Sequence, residues 1–178
     1  YQEMSRRAAE MVAQCLREDP NGLYSFPGGD TPLGFVREFV GLVNSGKADI
    51  RRTSYVSLDE WVGLSSQDSG SCGYFNRQEL LDALRVPFAH VHLIDGSAED
   101  IEKERQDLDT FIHQYGPLTV SVLGIGLNGH LGFNEEGSSF EGGAQVIPLS
   151  STTKKVMGKY FDRERTLTHG ITQGIGQI

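Results

Sequence analysis

The segment at residues 123–137 concentrates side chains that could move protons. It reads LGIGLNGHLGFNEEG and carries Asn128, His130 and Glu135 among several glycines. A neutral imidazole can take up and return a proton near pH 7, and a carboxylate bonded to one ring nitrogen fixes the tautomer. An amide, an imidazole and a carboxylate this close together indicate proton-transfer chemistry rather than a plain glycine-rich connection.

A second candidate is the pair of acids in SLDEWVGL, residues 57–64. Adjacent side chains point in different directions, so we expect at most one of Asp59 and Glu60 to face a shared pocket. A carboxylate in a closed, partly apolar pocket has a pKa nearer neutrality and can act as a general base. Two solvated loop acids are the alternative interpretation.

The third candidate is the loop FPGGDTP, residues 26–32, which joins a predicted strand to a predicted helix. Free N–H groups at a helix start, helped by the helix dipole, form a natural phosphate site. Gly28, Gly29, Asp30 and Thr31 are the predicted phosphate-binding residues, with the Asp30 side chain turned away and Asp30 or Thr31 capping the helix. Neither the Walker A nor the GxGxxG spacing occurs, so no nucleotide is indicated. A plain β–α turn explains the loop equally well.

The elements around these motifs alternate between strand and helix. Strands are predicted at residues 23–26, 54–58, 90–94, 118–123, 144–148 and from 166 onwards, and helices at 3–17, 31–43, 74–84, 98–115 and 152–161. Such alternation predicts a single α/β domain over residues 1–178, with a mostly parallel, doubly wound sheet. Helices on both faces of the sheet would give a Rossmann-like fold of three layers. The three motifs then meet at the carboxyl edge of the sheet.

The composition of the chain argues against several classes of function. The chain has 178 residues and a net charge of −8, which argues against a nucleic-acid footprint, since phosphate backbones need a basic face. No apolar run is long enough to span a membrane, and no signal-peptide pattern opens the chain. The two cysteines imply no disulfide framework and fit a reducing cytoplasm. No spacing resembles a metal site, and no cofactor is expected.

Together the three motifs resemble the glucosamine-6-phosphate deaminase/isomerase family, which includes galactosamine-6-phosphate relatives. The resemblance runs from about residue 2 to residue 178, and LGIGLNGHLGFNEEG and SLDEWVGL are its most specific parts. It implies an isomerising deamination, in which a 2-amino-2-deoxyhexose 6-phosphate becomes a ketohexose 6-phosphate and ammonia. The implied partner is a small phosphosugar, and a homo-oligomer is one expected assembly.

The resemblance also implies roles for single residues. Asp59 would move a proton from C2 to C1 of the opened sugar. His130 would assist ring opening, oriented by Glu135, with Asn128 in the same relay. Lys159 stands where relatives have a phosphate-binding arginine.

Some positions depart from the family pattern. The form PGGDTP looks more like the branch assigned to galactosamine 6-phosphate, which leaves the sugar epimer open. Gln145 and Ile147 stand where allosteric members carry basic residues, so we expect that activation to be lost. We also expect this chain to lack the family's first strand and its C-terminal part.

Two alternatives remain open. A 6-phosphogluconolactonase shares the fold but lacks the FNE sequence found here at residues 133–135. A non-catalytic sugar-phosphate sensor of this fold usually loses the base and the histidine, and both are present here as Asp59 and His130.

Overall fold

Short strands and helices alternate along the computed structural model, which describes residues 1–163 and 165–178. The strands are β1 (Leu23–Phe26), β2 (Ser54–Ser57), β3 (Asp59–Trp61), β4 (His90–His92), β5 (Leu118–Ser121), β6 (Gln145–Pro148) and β7 (His169–Thr172). The helices are α1 (Gln2–Glu18), α2 (Leu33–Asn44), α3 (Cys72–Phe75), α4 (Ile101–Tyr115) and α5 (Ser151–Val156). A π-helical segment, Asn76–Leu81, continues α3, and a 3-10 turn, Met157–Tyr160, continues α5.

A parallel sheet of four strands, in the order β4-β2-β1-β5, confirms the predicted α/β class. Every residue of β1 and β2 is buried, as expected for central parallel strands covered on both faces. Because the strands are parallel, their carboxyl ends lie at one edge, and the chain segments that follow β1, β2 and β5 start there.

The alternation of side chains along the strands builds a core on each face of this sheet. Tyr24 and Tyr55 belong to one core, together with apolar residues of α1 and α2. Leu23 and Val56, one position away along each strand, belong to the other core with Leu108 of α4. Helices therefore cover both faces of the sheet, which gives the predicted three layers.

A second, antiparallel sheet in the order β3-β7-β6 was not predicted as a separate unit. β3 follows β2 after a single residue, Leu58, whose carbonyl accepts a hydrogen bond from the Gln173 N–H. The chain therefore leaves the parallel sheet at Leu58 and pairs with β7 instead. The apolar pattern at residues 144–148 correctly indicated a strand, β6, but it did not indicate that this strand pairs with β7.

Some predicted boundaries shift where a capping residue decides them. The helix expected from residue 74 begins at Cys72, capped by Ser71, and the helix expected from residue 98 begins at Ile101, capped by Asp100. The prediction that Asp30 or Thr31 caps α2 is wrong, because Pro32 is the capping position and makes no side-chain bond. Among the described helices, none is both long and apolar enough to cross a bilayer.

Candidate active site

The three sequence motifs meet in one pocket of about 590 Å³ at the carboxyl edge of the parallel sheet. Segments after β1, β2 and β5 form its walls, and the segment around α5 adds another. The predicted site residues that line it are Gly28, Gly29, Asp30, Thr31, Asp59, Asn128, His130 and Lys159. Glu135 is the exception, since it is buried and contacts His130 rather than the pocket itself.

Asp59 is held at the pocket by the bend between β2 and β3. It pairs with Thr172 in the antiparallel sheet, and only 9% of its surface remains exposed. The loop carrying His130 comes close to it at Gly132, where a Cβ would lie 3.6 Å from the Asp59 Oδ2 and 2.5 Å from the Thr172 Oγ1. Gly132 also has a φ of 58°, which favours glycine. This residue therefore lets the His130 loop approach Asp59.

The surroundings of Asp59 suit a general base. Burial raises its pKa from 3.8 to about 6, although the Cys72 thiol and the charge of His130 oppose this shift. A carboxylate of that pKa is ionised near pH 7 yet basic enough to accept a proton from carbon in a positioned substrate.

Glu60 has a structural role, which confirms that only one of the two adjacent acids faces the pocket. Its carboxylate accepts hydrogen bonds from the backbone N–H groups of Trp61 (2.8 Å), Cys72 (3.1 Å) and Gly73 (2.6 Å). Glu60 therefore ties β3 to the start of α3.

His130 and Glu135 form a hydrogen-bonded pair in the loop after β5. The His130 Nδ1 lies 3.2 Å from the Glu135 Oε2, and the Asn128 Nδ2 donates to the same oxygen at 2.6 Å. The other oxygen of Glu135 accepts from the Thr153 hydroxyl and from the Ser150 N–H at 3.3 Å. With a proton on Nδ1, the Nε2 atom of a neutral His130 is left as an acceptor.

Glu135 is held in its charged form by these donors. Burial alone would raise its pKa, but the hydrogen bonds from Thr153, Asn128, Ser150 and His130 outweigh it and lower the pKa to about 2. A permanently charged partner fixes the ring orientation of His130 across the pH range in which enzymes work.

Known proteins match this chain over its whole length, and the residues of the pocket are part of that match. The family model described as glucosamine-6-phosphate isomerases/6-phosphogluconolactonase matches residues 1–157. A glucosamine-6-phosphate deaminase of Thermoanaerobacter sp. (strain X514) is 34% identical over 100% of this chain and 71% of its own. One of Lachnoclostridium phytofermentans is also 34% identical, over 100% of this chain and 76% of its own. This chain belongs to the glucosamine-6-phosphate isomerase/6-phosphogluconolactonase family.

Solved structures of the family agree with this assignment. A monomeric glucosamine-6-phosphate deaminase superposes with a TM-score of 0.92 at 30% identity, covering 100% of this chain and 74% of that one. A 6-phosphogluconolactonase of Thermotoga maritima superposes with a TM-score of 0.72 at 18% identity, covering 98% and 73%. The second likeness shows the shared fold alone.

The loop at residues 28–31, which is predicted to bind phosphate, lines the pocket but differs in detail from expectation. Within the described residues the Asp30 side chain makes no hydrogen bond, and Asp30 is one of the residues that line the pocket. The loop is instead held through its backbone by Tyr1, whose single hydroxyl hydrogen is shared between the carbonyls of Asp30 (3.3 Å) and Thr31 (2.9 Å). The same hydroxyl accepts from the Gly34 N–H at 2.8 Å.

Some residues at the site were not predicted from the sequence. Ser150 and Thr153 reach Glu135, and Cys72 lines the pocket together with Asp59. The signal for Ser150 was its place as a helix cap, since its side chain accepts from the Thr153 N–H at 3.1 Å.

Two further expectations concern sites other than the pocket. Gln145, which the resemblance places at an effector position, donates to the Asn134 Oδ1 and to the Ser139 carbonyl, both at 3.2 Å, while Ile147 is part of β6. Among the described residues, no three His, Cys, Asp or Glu side chains cluster as metal ligands would.

Proposed function

We propose that this chain catalyses the isomerising deamination of a 2-amino-2-deoxyhexose 6-phosphate to a ketohexose 6-phosphate and ammonia. What supports this reaction is the placement of Asp59 and of the His130–Glu135 pair around one pocket that also contains the loop at residues 28–31. The relatives named glucosamine-6-phosphate deaminase support the substrate class. The whole of residues 1–178 acts as one catalytic domain in this proposal.

Ring opening is the first step, and His130 is its proton carrier. The Nε2 atom takes the proton of the anomeric hydroxyl and then gives a proton to the ring oxygen, so the C1–O5 bond breaks and C1 becomes an aldehyde. Glu135 keeps the proton on Nδ1 and thereby keeps Nε2 available. Asn128 holds the Glu135 oxygen that faces the ring.

Isomerisation follows at Asp59. The Asp59 carboxylate removes the proton from C2 while the C2 ammonium group gives one proton to the aldehyde oxygen, which forms an enolamine with a C1–C2 double bond. Asp59 then returns its proton to C1, which leaves a protonated imine at C2, and water hydrolyses this imine to a ketone with release of ammonia. One carboxylate on one face of the C1–C2 unit is sufficient for both transfers.

The phosphate anchors the sugar at a distance from the reacting carbons. In this proposal the backbone N–H groups of residues 28–31 bind the phosphate, and the Lys159 ammonium adds a positive charge. Binding energy of the unreactive phosphate is thereby used to orient C1 and C2 against Asp59.

The test is ammonia release by the purified chain with glucosamine 6-phosphate and galactosamine 6-phosphate, and acid release with 6-phosphogluconolactone. We expect ammonia and ketohexose 6-phosphate in equal amounts from at least one amino sugar, and the ratio of the two rates assigns the epimer. Lactone hydrolysis without ammonia release would favour the lactonase alternative. Tight binding of the phosphosugars without turnover would favour the sensor.

We further propose that the protein works in the cytoplasm, where phosphorylated sugars and reduced thiols occur together. Its assembly state is either a monomer, like the solved monomeric deaminase, or a homo-oligomer. Cell fractionation tests the proposed location, and sedimentation of the purified chain measures its assembly state.

A further inference from the structure

Gln173 is a buried residue that links the ends of the two central strands of the parallel sheet. It directly follows β7, and its side chain is fully buried. The side-chain Nε2 donates to the Ser25 Oγ on β1 at 2.8 Å and to the Ser57 carbonyl on β2 at 2.9 Å. Both hydrogens of this amide group are therefore bonded, one to each strand.

The backbone of Gln173 bonds to the segments that carry the proposed base and the imidazole. Its N–H donates to the Leu58 carbonyl at 3.0 Å, and its carbonyl accepts from the Asn134 Nδ2 at 2.8 Å. Leu58 directly precedes Asp59, and Asn134 directly precedes Glu135. Gln173 is therefore bonded to each of the three chain segments whose motifs meet in the pocket.

The spacing between these segments matters because the proposed substrate extends across the pocket. Ser25 lies shortly before the loop at residues 28–31, which is proposed to bind the phosphate, and Ser57 lies shortly before Asp59. The link through Gln173 therefore fixes how far the phosphate of a bound sugar lies from the carboxylate that acts on C2. A displacement of about 1 Å at a reacting group can lower a rate by about 100-fold.

Gln173 acts on this spacing from outside the pocket, since it is not among the residues that line it. Its Oε1 atom is buried and has no hydrogen-bond partner among the described residues, so the two Nε2 bonds orient the side chain. Ser25 and Ser57 are buried as well. Water therefore does not readily replace these bonds when the amide is removed.

We infer that Gln173 is a positioning residue for the proposed reaction, on which this inference rests. Its side-chain amide holds the strand end that carries Asp59 at a fixed distance from the strand that leads into the loop at residues 28–31.

The first experiment compares two ligands by calorimetry and needs no turnover. Inorganic phosphate should contact only the loop at residues 28–31, whereas an open-chain 2-amino-2-deoxyhexitol 6-phosphate should extend from that loop to Asp59. Gln173→Met removes the amide and nearly keeps the shape of the side chain. We expect it to weaken binding of the hexitol phosphate by about tenfold, with little change for inorganic phosphate.

Gln177→Met is the matched control for this comparison. Gln177 belongs to the same segment after β7, but its Nε2 donates at 2.9 Å to the Asp109 Oδ1 on α4, and it lies outside the pocket lining. We expect this variant to bind both ligands as the unsubstituted chain does.

The second experiment tests the bond to Ser25 through kcat/KM for the amino sugar phosphate, below the melting temperature of every variant. Gln173→Met should lower kcat/KM by roughly 10- to 100-fold. Ser25→Ala removes one of the two acceptors and should lower it by a smaller factor. In the Gln173→Met background Ser25→Ala should have almost no further effect, because its partner is already absent. If Gln173→Met does not fold, Ser25→Ala alone must weaken the hexitol phosphate more than inorganic phosphate.

Equal weakening of both ligands in Gln173→Met, or no weakening of either, overturns the inference, because a general loss of packing does not distinguish the two ligands. Effects of Ser25→Ala and Gln173→Met that add in full overturn it as well. An unsubstituted chain that binds both ligands but releases no ammonia overturns the proposed function instead, and the ratio of the two affinities still decides whether Gln173 sets the spacing.

Discussion

Asp59 and Glu60 show how two identical functional groups, one residue apart, take different roles. The strand alternation sends Asp59 towards the pocket and Glu60 towards the N–H groups at the start of α3. A carboxylate saturated by backbone donors cannot approach a substrate, whereas Asp59 keeps its oxygens available beside the pocket. The first prediction therefore concerns Asp59.

Asp59→Asn should lower kcat by roughly 10²- to 10⁴-fold with little change in KM, because the amide keeps the shape but cannot accept the C2 proton. Steady-state kinetics and exchange of the C2 hydrogen with deuterated solvent measure the two effects. Exchange at the rate of the unsubstituted chain would show that another group is the base.

The same substitution should stabilise the fold at neutral pH. The pKa of Asp59 is about 6 in the folded chain because of burial, against 3.8 for the free side chain. The folded state therefore binds its proton more tightly than the unfolded state, and the free energy of unfolding falls as the pH rises from about 4 to 6. We expect Asp59→Asn to melt at a higher temperature than the unsubstituted chain at pH 8. If Asp59→Asn raised the melting temperature by as much at pH 4 as at pH 8, the link between the pKa of Asp59 and stability would be contradicted.

His130→Gln should slow ring opening specifically. Glutamine can hydrogen-bond the ring oxygen but cannot carry a proton, so turnover of the cyclic substrate should fall by roughly 10²-fold or more. Binding of an open-chain amino-alditol phosphate, measured by calorimetry, should stay close to normal because this analogue needs no ring opening. Unchanged turnover of the cyclic substrate would show that His130 does not carry the proton in ring opening.

At the scale of elements, Glu135 joins two segments that are distant in the sequence. The loop after β5 supplies His130 and Asn128, and the start of α5 supplies Ser150 and Thr153. The position of the imidazole therefore depends on a helix of six residues, which packing must hold because so short a helix is not stable alone.

Thr153→Val should loosen this link while keeping the side-chain shape. It removes the hydroxyl that donates to a buried carboxylate, which costs about 1–3 kcal/mol. We expect faster amide exchange in α5 and a lower kcat, measured by hydrogen-exchange mass spectrometry and kinetics. Thr110→Val on α4 is the control, since the Thr110 hydroxyl bonds only within its own helix at an exposed position. Equal exchange in α5 for both variants would show that Glu135 does not depend on Thr153.

The sequence pattern predicted the helices and strands better than it predicted which of them contact each other in the fold. Apolar runs that end in polar clusters correctly located β1, β2 and β5. The same local patterns placed Asp59 and His130 at the pocket, because a buried strand and the polar residues at its end lie within a few positions of each other. The pairing of β3 with β7 joins positions more than a hundred residues apart, and no local pattern encodes it. Ser150, Thr153 and Cys72 were missed for the same reason, since each reaches the site only after its helix start has docked.

At the scale of the whole molecule, a chain of net charge −8 is proposed to bind a dianionic phosphate. Long-range attraction cannot help, so recognition must come from local donors in the pocket. Asp30 lines this pocket as well, which makes a nearby cation more important. Lys159 is the lysine among the pocket-lining residues, and its Nζ lies 4.6 Å from the centre of the Tyr160 ring.

Lys159→Ala should therefore raise KM for the phosphosugar by roughly tenfold or more with a small effect on kcat, as expected when a charge-assisted hydrogen bond far from the reacting carbons is lost. Lys159→Arg should restore most of the binding. Lys155→Ala is the matched control, because this lysine is exposed on α5 and outside the pocket lining. The inhibition constant of inorganic phosphate should weaken in parallel with KM, and the difference from the unsubstituted chain should shrink at high salt, where the charge of Lys159 is screened. If Lys159→Ala and Lys155→Ala gave the same KM and the same inhibition by phosphate, the loop at residues 28–31 would have to bind the phosphate without this cation.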